Sequence, residues 1–328
     1  MVRSARMIRV MTKWLGLKIG VCNSSFMAAS KRRVHFQGRC CAYARVVPFL
    51  LCLALFFYGH CAIGETTRIV SLLPNFTETL FSIGAGSMVA GVSDFCKYPP
   101  AATQIPKVGG LINPSLEKIV SLQPTAVVVS ASQHELARKL SELGVRTFAL
   151  RSDSLRDIYD AIELAGRLTG MTTAAEQLRL QVRKELTDVR DSCTSSRKLR
   201  VLIVVGRQRG SLQGLYAAGR GSYLSELVEL AGGMNVLHDS VPARALSKEE
   251  LVALNPEVIL DFSVADGEPS KFVASGERKV WNALQVMEAV KRDQVYFFPD
   301  ARFTIPGPSV VETARGIEHI LCNKTASR

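Results

Sequence analysis

No aspartate or glutamate occurs among the first 64 of the chain's 328 residues, yet ten lysines and arginines do: Arg3, Arg6, Arg9, Lys13, Lys18, Lys31, Arg32, Arg33, Arg39 and Arg45. The formal net charge of +12 would by itself suggest a nucleic acid or an anionic membrane as partner. Taking those ten from the 41 basic residues leaves 31 against 29 acidic ones, so the body is nearly neutral and nucleic-acid binding is not expected. Catalytic constellations are missing as well. Gly219-Arg220-Gly221 runs into Ser222-Tyr223-Leu224 without the third glycine of a dinucleotide fingerprint, and there is neither a Walker loop nor a serine in a nucleophile elbow. After position 64 histidine occurs only as His134, His238 and His319, too scattered for a paired metal-ligand spacing. These gaps predict a protein that is not an enzyme and has no cofactor or metal site of its own. A secreted α/β hydrolase or metal enzyme is the alternative from another class.

What is present begins with an export signal. The basic residues at 31–45 precede an uncharged apolar run at 46–58, which leads to small residues at Ala62 and Gly64. Positive charge holds the N-terminal side in the cytoplasm while the apolar run enters the export channel, and small residues mark the cut. Cleavage after Gly64 is predicted, with a lipid anchor at Cys61 as the competing end point. The apolar run is shorter than the roughly 20 residues that span a bilayer. A periplasmic or otherwise extracytoplasmic location follows. Cysteine usage agrees: five of the eight (Cys22, Cys40, Cys41, Cys52, Cys61) lie in the leader, and Cys96, Cys193 and Cys322 remain. In an oxidising compartment three thiols suggest one disulfide and one leftover.

Beyond the leader, short apolar runs at 68–73, 88–92, 126–130 and 146–150 alternate with helical patterns at 76–83, 115–122 and 133–143. The runs are too continuously apolar for a one-sided antiparallel sheet, so a mostly parallel sheet covered on both faces is predicted. From 154 to about 190 only helical periodicity appears, broken near Gly170. Alternation then resumes, with strands at 199–205, 258–262 and 295–298 and helices at 222–231, 247–254 and 309–321. The segments SLEKIVSLQPTAVVV (from Ser115) and SKEELVALNPEVIL (from Ser247) echo one another, with identities at Ser115/Ser247, Glu117/Glu249, Val120/Val252, Leu122/Leu254 and Pro124/Pro256. A helix, a proline-marked turn and a buried strand thus recur. The predicted class is α/β: a leader (1–64), an N-terminal lobe (65–153), a connecting helical segment (154–198) and a C-terminal lobe (199–328), with mostly parallel central sheets.

Two lobes leave a groove between them, and open α/β sheets bind ligands in loops at strand ends. The loops at those ends are 74–78 (with Asn75), 94–100 (with Phe95, Cys96 and Tyr98), 206–216 (with Arg207, Arg209 and Tyr216) and 300–303 (with Arg302 and Phe303). Aromatic faces beside cationic donors suit a broad apolar ligand with polar or anionic edges. Each aromatic could equally pack against its own lobe. Cys96 could offer a thiolate to a metal centre or rest as an inert, partly buried thiol. Glu117 and Glu249 each fall in a first helical turn, where the helix dipole favours a carboxylate by about 0.3–1 kcal/mol. That explains each acid alone, though not their matching positions.

Together RIVSLLPNFTETLFSIGAG, GVSDFCKYPP, PKVGGLINPSLEKIVSLQP, LYAAGRGSYLSELVELAGGMNVL and PGPSVVE resemble the periplasmic binding proteins of ABC importers for vitamin B12 and ferric siderophores, with the vitamin B12 branch nearest. The likeness covers about 67–321. It implies two α/β lobes bridged by one long helix, little lobe closure, a monomer, and delivery of a metal-containing small molecule to membrane permease subunits. The cargo it implies first is a corrinoid, with a ferric siderophore or haem as the alternative, in which Arg207, Arg209 and Arg302 would pair with anionic groups. One glutamate per lobe would dock on the permease, at Glu117 and Glu249. The family's cleft tyrosine falls at Phe95 and its cleft tryptophan at Leu111. Its C-terminal cysteine falls at Cys322 but the partner falls at Ala231, which suggests a Cys193–Cys322 disulfide with Cys96 free.

Overall fold

A computed structural model describes residues 66–111, 113–193, 197–237, 241–263 and 276–325. The predicted leader with Cys61, and His238, lie outside the described residues.

The apolar runs predicted as strands are strands. In the N-terminal lobe β1 (Ile69–Ser71), β2 (Val89–Val92), β3 (Ala126–Ser130) and β4 (Thr147–Leu150) form a wholly parallel sheet in the order β2-β1-β3-β4. Each strand leads through a helix to the next: α1 (Pro74–Ser82), α2 (Leu116–Ser121) and α3 (His134–Glu142). Proline starts α1, where a missing N–H costs nothing. The helix α2 is capped by the Ser115 hydroxyl, which accepts from Lys118 N–H at 3.2 Å.

Two helices follow, not one. Ser154 and Asp157 form a capping box that starts α4 (Leu155–Thr169), and Gly170 ends it with φ +74°. Then α5 (Thr172–Ser192), about 30 Å long at 1.5 Å per residue, carries the chain across. The helix α4 packs on α1 of the first lobe, while α5 packs on helices of the second. The connecting segment predicted at 154–198 therefore splits at Gly170, with its first half part of the N-terminal lobe.

The C-terminal lobe is built from β5 (Leu199–Gly206), β6 (Tyr216–Ala218), α6 (Tyr223–Leu230), β7 (Gly233–Asn235), β8 (Ala243–Ala245), α7 (Lys248–Leu254), β9 (Val258–Asp261), α8 (Glu277–Trp281), α9 (Glu288–Lys291), β10 (Val295–Phe297) and α10 (Val310–Thr325). The sheet order is β10-β9-β5-β6-β8. Strands β10, β9 and β5 are parallel, β6 and β8 antiparallel, and β7 lies beside the first residues of β5 while β6 pairs with its last. The structure joins Cys193, just after α5, to Cys322 of α10.

Side-chain alternation sorts the core into three parts. Val70, Leu72, Val127 and Val129 face an outer layer with Ile119 and Leu140. Leu202, Val204 and Ile259 face the opposite outer layer with Trp281. The inward residues Ile69, Val128, Val201 and Ile203 merge with α4, α5 and α10 into one continuous core shared by both lobes. Residues 65–328 accordingly form one unit, and any motion between the lobes must work against shared apolar packing.

Candidate functional site

The loops after β1, β2 and β10 meet across the gap between the lobes and enclose a cleft of about 690 Å³. From the N-terminal lobe come Leu73, Pro74, Asn75, Phe95, Lys97, Tyr98, Pro100 and Leu111; from the C-terminal lobe come Asp300, Ala301, Arg302, Thr304, Ile305 and Pro306. Ser152 lies between and is shared, with Thr304, by an adjoining cavity of about 290 Å³ that also touches Ser222, Tyr223 and Pro242.

The aromatic loop is held from beneath. Lys107 Nζ donates to the Cys96 and Ala102 carbonyls at 3.0 and 3.1 Å, and Asp94 N–H donates to Gly109 O at 2.9 Å. Phe95 can then stand 57% exposed without collapsing onto its own lobe. An apolar ring kept in water is a cost to the free protein that a bound apolar surface removes. Across the cleft, the Arg302 guanidinium lies 5.5 Å from the Tyr98 ring centroid. Its charge is already answered: Arg302 pairs with Asp300 Oδ2 at 2.8 Å and with Glu312 Oε2 at 3.4 Å. The Asp300 hydrogen bond pushes the guanidinium's pKa above its ordinary range. Lys97 is the exposed cation of the lining that has no ion pair among the described residues. Asn75 Nδ2 is buried and has no hydrogen-bond partner among the described residues.

Asn75, Phe95, Tyr98, Leu111 and Arg302 thus come together as cleft residues. Four others do not. Cys96 is fully buried, within hydrogen-bonding distance of Thr77 and Ser93, both at 3.2 Å, so its thiol has no path to a ligand metal. Arg207, with a side chain only 1% exposed, donates to Asp261 at 2.9 Å and Glu277 at 2.7 Å and spends its charge inside its own lobe. Phe303 packs edge-on against Phe298, which stacks on Phe262. Tyr216 on β6 is half exposed but lines neither cavity, and Arg209 is exposed 3.9 Å from Glu277. Sequence reasoning overlooked Lys97, Asp300 and Pro306, although each sits inside a segment it singled out; the signal was their position next to Tyr98, Arg302 and the PGPSVVE run.

The two docking candidates lie away from the cleft. Glu117 on α2 and Glu249 on α7 are exposed in matching first turns. A non-glycine residue in the left-handed region follows each helix, Gln123 (φ +47°) just past the Leu122 cap of α2 and Asn255 (φ +39°) as the cap of α7, directly before Pro124 and Pro256. Among the described residues no group of three histidine, cysteine or acidic side chains is placed to hold a metal, and no helix is long and apolar enough to cross a membrane.

Comparison with known proteins agrees with this geometry. The periplasmic binding protein family model matches residues 69–301. An ABC transporter substrate-binding lipoprotein of Bacillus subtilis is 27% identical over 264 residues, covering 78% of this chain and 79% of that protein. A vitamin B12-binding protein of Vibrio cholerae is 27% identical over 255 residues, covering 76% and 87%. Among solved structures, the periplasmic vitamin B12-binding protein of Vibrio cholerae superposes with a TM-score of 0.68 at 24% identity, over 80% of this chain and 98% of that one. The apo periplasmic heme-binding protein of Roseiflexus sp. RS-1 gives the same TM-score and identity over 80% and 100%. At that identity the two structures testify to a shared fold. With a cleft where two α/β lobes meet and a family match across most of the chain, this chain belongs to the periplasmic binding protein family.

Proposed function

We propose that this chain is the extracytoplasmic substrate-binding component of an ABC importer, and that it captures a corrinoid in the cleft for delivery to permease subunits. No bond is made or broken. The observation that carries the choice of cargo is the charge balance of the cleft. Phe95 presents an apolar face, Lys97 offers a polar donor, and Arg302 is neutralised by Asp300 and Glu312. A broad macrocycle with uncharged amide edges suits such a wall better than a polyanionic iron chelate, which would have to compete with two carboxylates for the one guanidinium. Vitamin B12-binding proteins among the relatives point the same way.

Haem is the second reading, favoured by one observation: the Tyr98 phenol stands beside the Arg302 guanidinium. A tyrosine oxygen is a ligand for ferric haem iron. Titration with cyanocobalamin, haemin and ferric chelates, read as thermal stabilisation that grows with free ligand, separates them. Stabilisation by cyanocobalamin alone supports the corrinoid; stabilisation by haemin together with a charge-transfer band lost in Tyr98→Phe replaces it with haem.

The matched acids fit docking on two permease subunits. Reversing both charges, Glu117→Lys with Glu249→Lys, is expected to abolish uptake while ligand affinity stays within about twofold; undiminished uptake in whole cells removes the docking role. Export with removal of residues 1–64, or anchoring at Cys61, is settled by N-terminal sequencing of the secreted protein.

A further inference from the structure

Behind the cleft, each lobe lends a carboxylate to the first turn of a helix in the other. Glu78 sits on α1, and its Oε1 accepts from Ser309 N–H at 2.7 Å, immediately before α10. Glu226 sits on α6, and its Oε1 accepts from Leu155 N–H, the first residue of α4, at 3.3 Å. The glutamates occupy matching contexts, Thr77-Glu78 and Ser225-Glu226, each six residues before a glycine of positive φ, Gly84 and Gly232. Between them Tyr223 N–H donates to Asp153 O, a third polar tie from lobe to lobe.

The Glu78 end is tightly built. The residue is 3% exposed, and a Cβ on Gly307 would come within 2.3 Å of its Oε2, so any side chain there would have to push the carboxyl aside. Among the described residues Oε2 has no hydrogen-bond partner, and neither do Asn75 Nδ2, Ser309 Oγ and Thr313 Oγ1. A buried carboxylate with one satisfied oxygen is poorly compensated for lost water, whereas a neutral carboxyl brings an O–H donor to hydroxyls that lack one.

We propose that Glu78 and Glu226 are positioning residues that clasp the two lobes at the width seen here, and that gain or loss of a proton sets how firmly they hold. Burial pushes Glu78 up to about 7, against the lowering effect of its bond from the Ser309 N–H; Glu312 of α10 adds to the rise and Arg302 opposes it. Tyr223 of α6 faces it and is itself raised, by burial first and then by the Glu78 charge. Glu226 is raised by burial first, against its Leu155 bond, with Asp157 of α4 and Glu229 of its own helix contributing. Tyr159 of α4, flanked by Arg179 and Arg183 of α5, faces Glu226 in turn. A carboxyl that binds its proton more tightly when packed than when solvated stabilises the packed state below its ordinary pKa, and that contribution is lost as pH rises through the packed value. For Glu78 the window runs from 4.5 to about 7. The lobes therefore part more readily toward the alkaline end. Easier ligand release there is a consequence that rests on the binding-protein reading; the clasp is tested without ligand.

The experiment is amide hydrogen exchange on the ligand-free full chain at about pH 5 and about pH 8, corrected for intrinsic exchange. Protection of the Ser309 amide is expected to fall at least about tenfold, the equivalent of one pKa unit, while protection of Val128 in the shared core changes far less. In Glu78→Gln the fall at Ser309 should disappear, and in Glu226→Gln a smaller fall at the Leu155 amide should disappear. Unchanged Ser309 protection in the wild type, or the same fall in Glu78→Gln, overturns the proposal. Should Glu78→Gln not fold, the wild-type carboxyl titration followed by carbon-detected NMR decides it: a midpoint near 7 supports the clasp and one near 4.5 overturns it.

Discussion

The two lobes share a motif but use charge in opposite ways. The N-terminal lobe has a wholly parallel sheet and leaves its cleft groups free: Phe95 and Lys97 are exposed, and Lys97 has no ion pair among the described residues. The C-terminal lobe has a mixed sheet and turns its charge inward. Arg207 is buried between Asp261 and Glu277; Trp281 Nε1 donates to Asp261 at 3.1 Å and Gly210 N–H to Glu277 at 3.0 Å. An arginine at the end of a β-strand can therefore serve either a ligand or its own lobe, and carboxylates far away in sequence decide which.

This contrast can be broken by mutation. The largest effect belongs to Arg207→Ala, which strands two buried carboxylates; a loss of about 3–5 kcal/mol is expected in denaturant unfolding. Replacing all three charges with apolar residues of similar size should cost far less, and equal costs would show that the charges are not coupled. Next is Cys193→Ala. The bond closes a separation of 129 residues, and its removal should cost about 2–4 kcal/mol, read from the unfolding midpoint under oxidising conditions. Phe95→Ala should leave stability within about 0.5 kcal/mol yet weaken ligand binding about tenfold or more, because the ring's apolar area is covered only in the complex. The smallest effect is that of Arg209→Ala, an exposed residue outside the cleft, which should alter neither stability nor affinity by more than about 0.5 kcal/mol. A large loss of affinity there would return that loop to the binding site.

Legibility in the sequence follows the same division. The N-terminal strands announced themselves as short, mostly apolar runs between helical patterns, and the observed elements fall within a residue or two of those runs. The short strands β6, β7 and β8 were missed because three-residue strands such as Gly233–Asn235 carry no periodicity; they exist through pairing with β5, β6 and the chain around them. The echo between 115 and 247 marked matching helices and turns, down to the left-handed residue before each proline. Cleft aromatics were legible as strand-end loops. The fate of Arg207 was not, since Asp261 and Glu277 lie 54 and 70 residues away. Glu78 was visible only as part of the helix start at 74–78, and its bond across the lobes depends on Ser309, 231 residues distant.

The central claim is that a broad metal-centred molecule is held between Phe95 and Tyr98 on one side and the 300–306 loop on the other. Absorbance titration of the purified protein with cyanocobalamin and with haemin, repeated on Phe95→Ala, tests it most directly. The account predicts saturable binding of one of the two at one molecule per chain, weakened about tenfold or more in the variant. Failure of both to bind, or binding that Phe95→Ala leaves untouched, would contradict it.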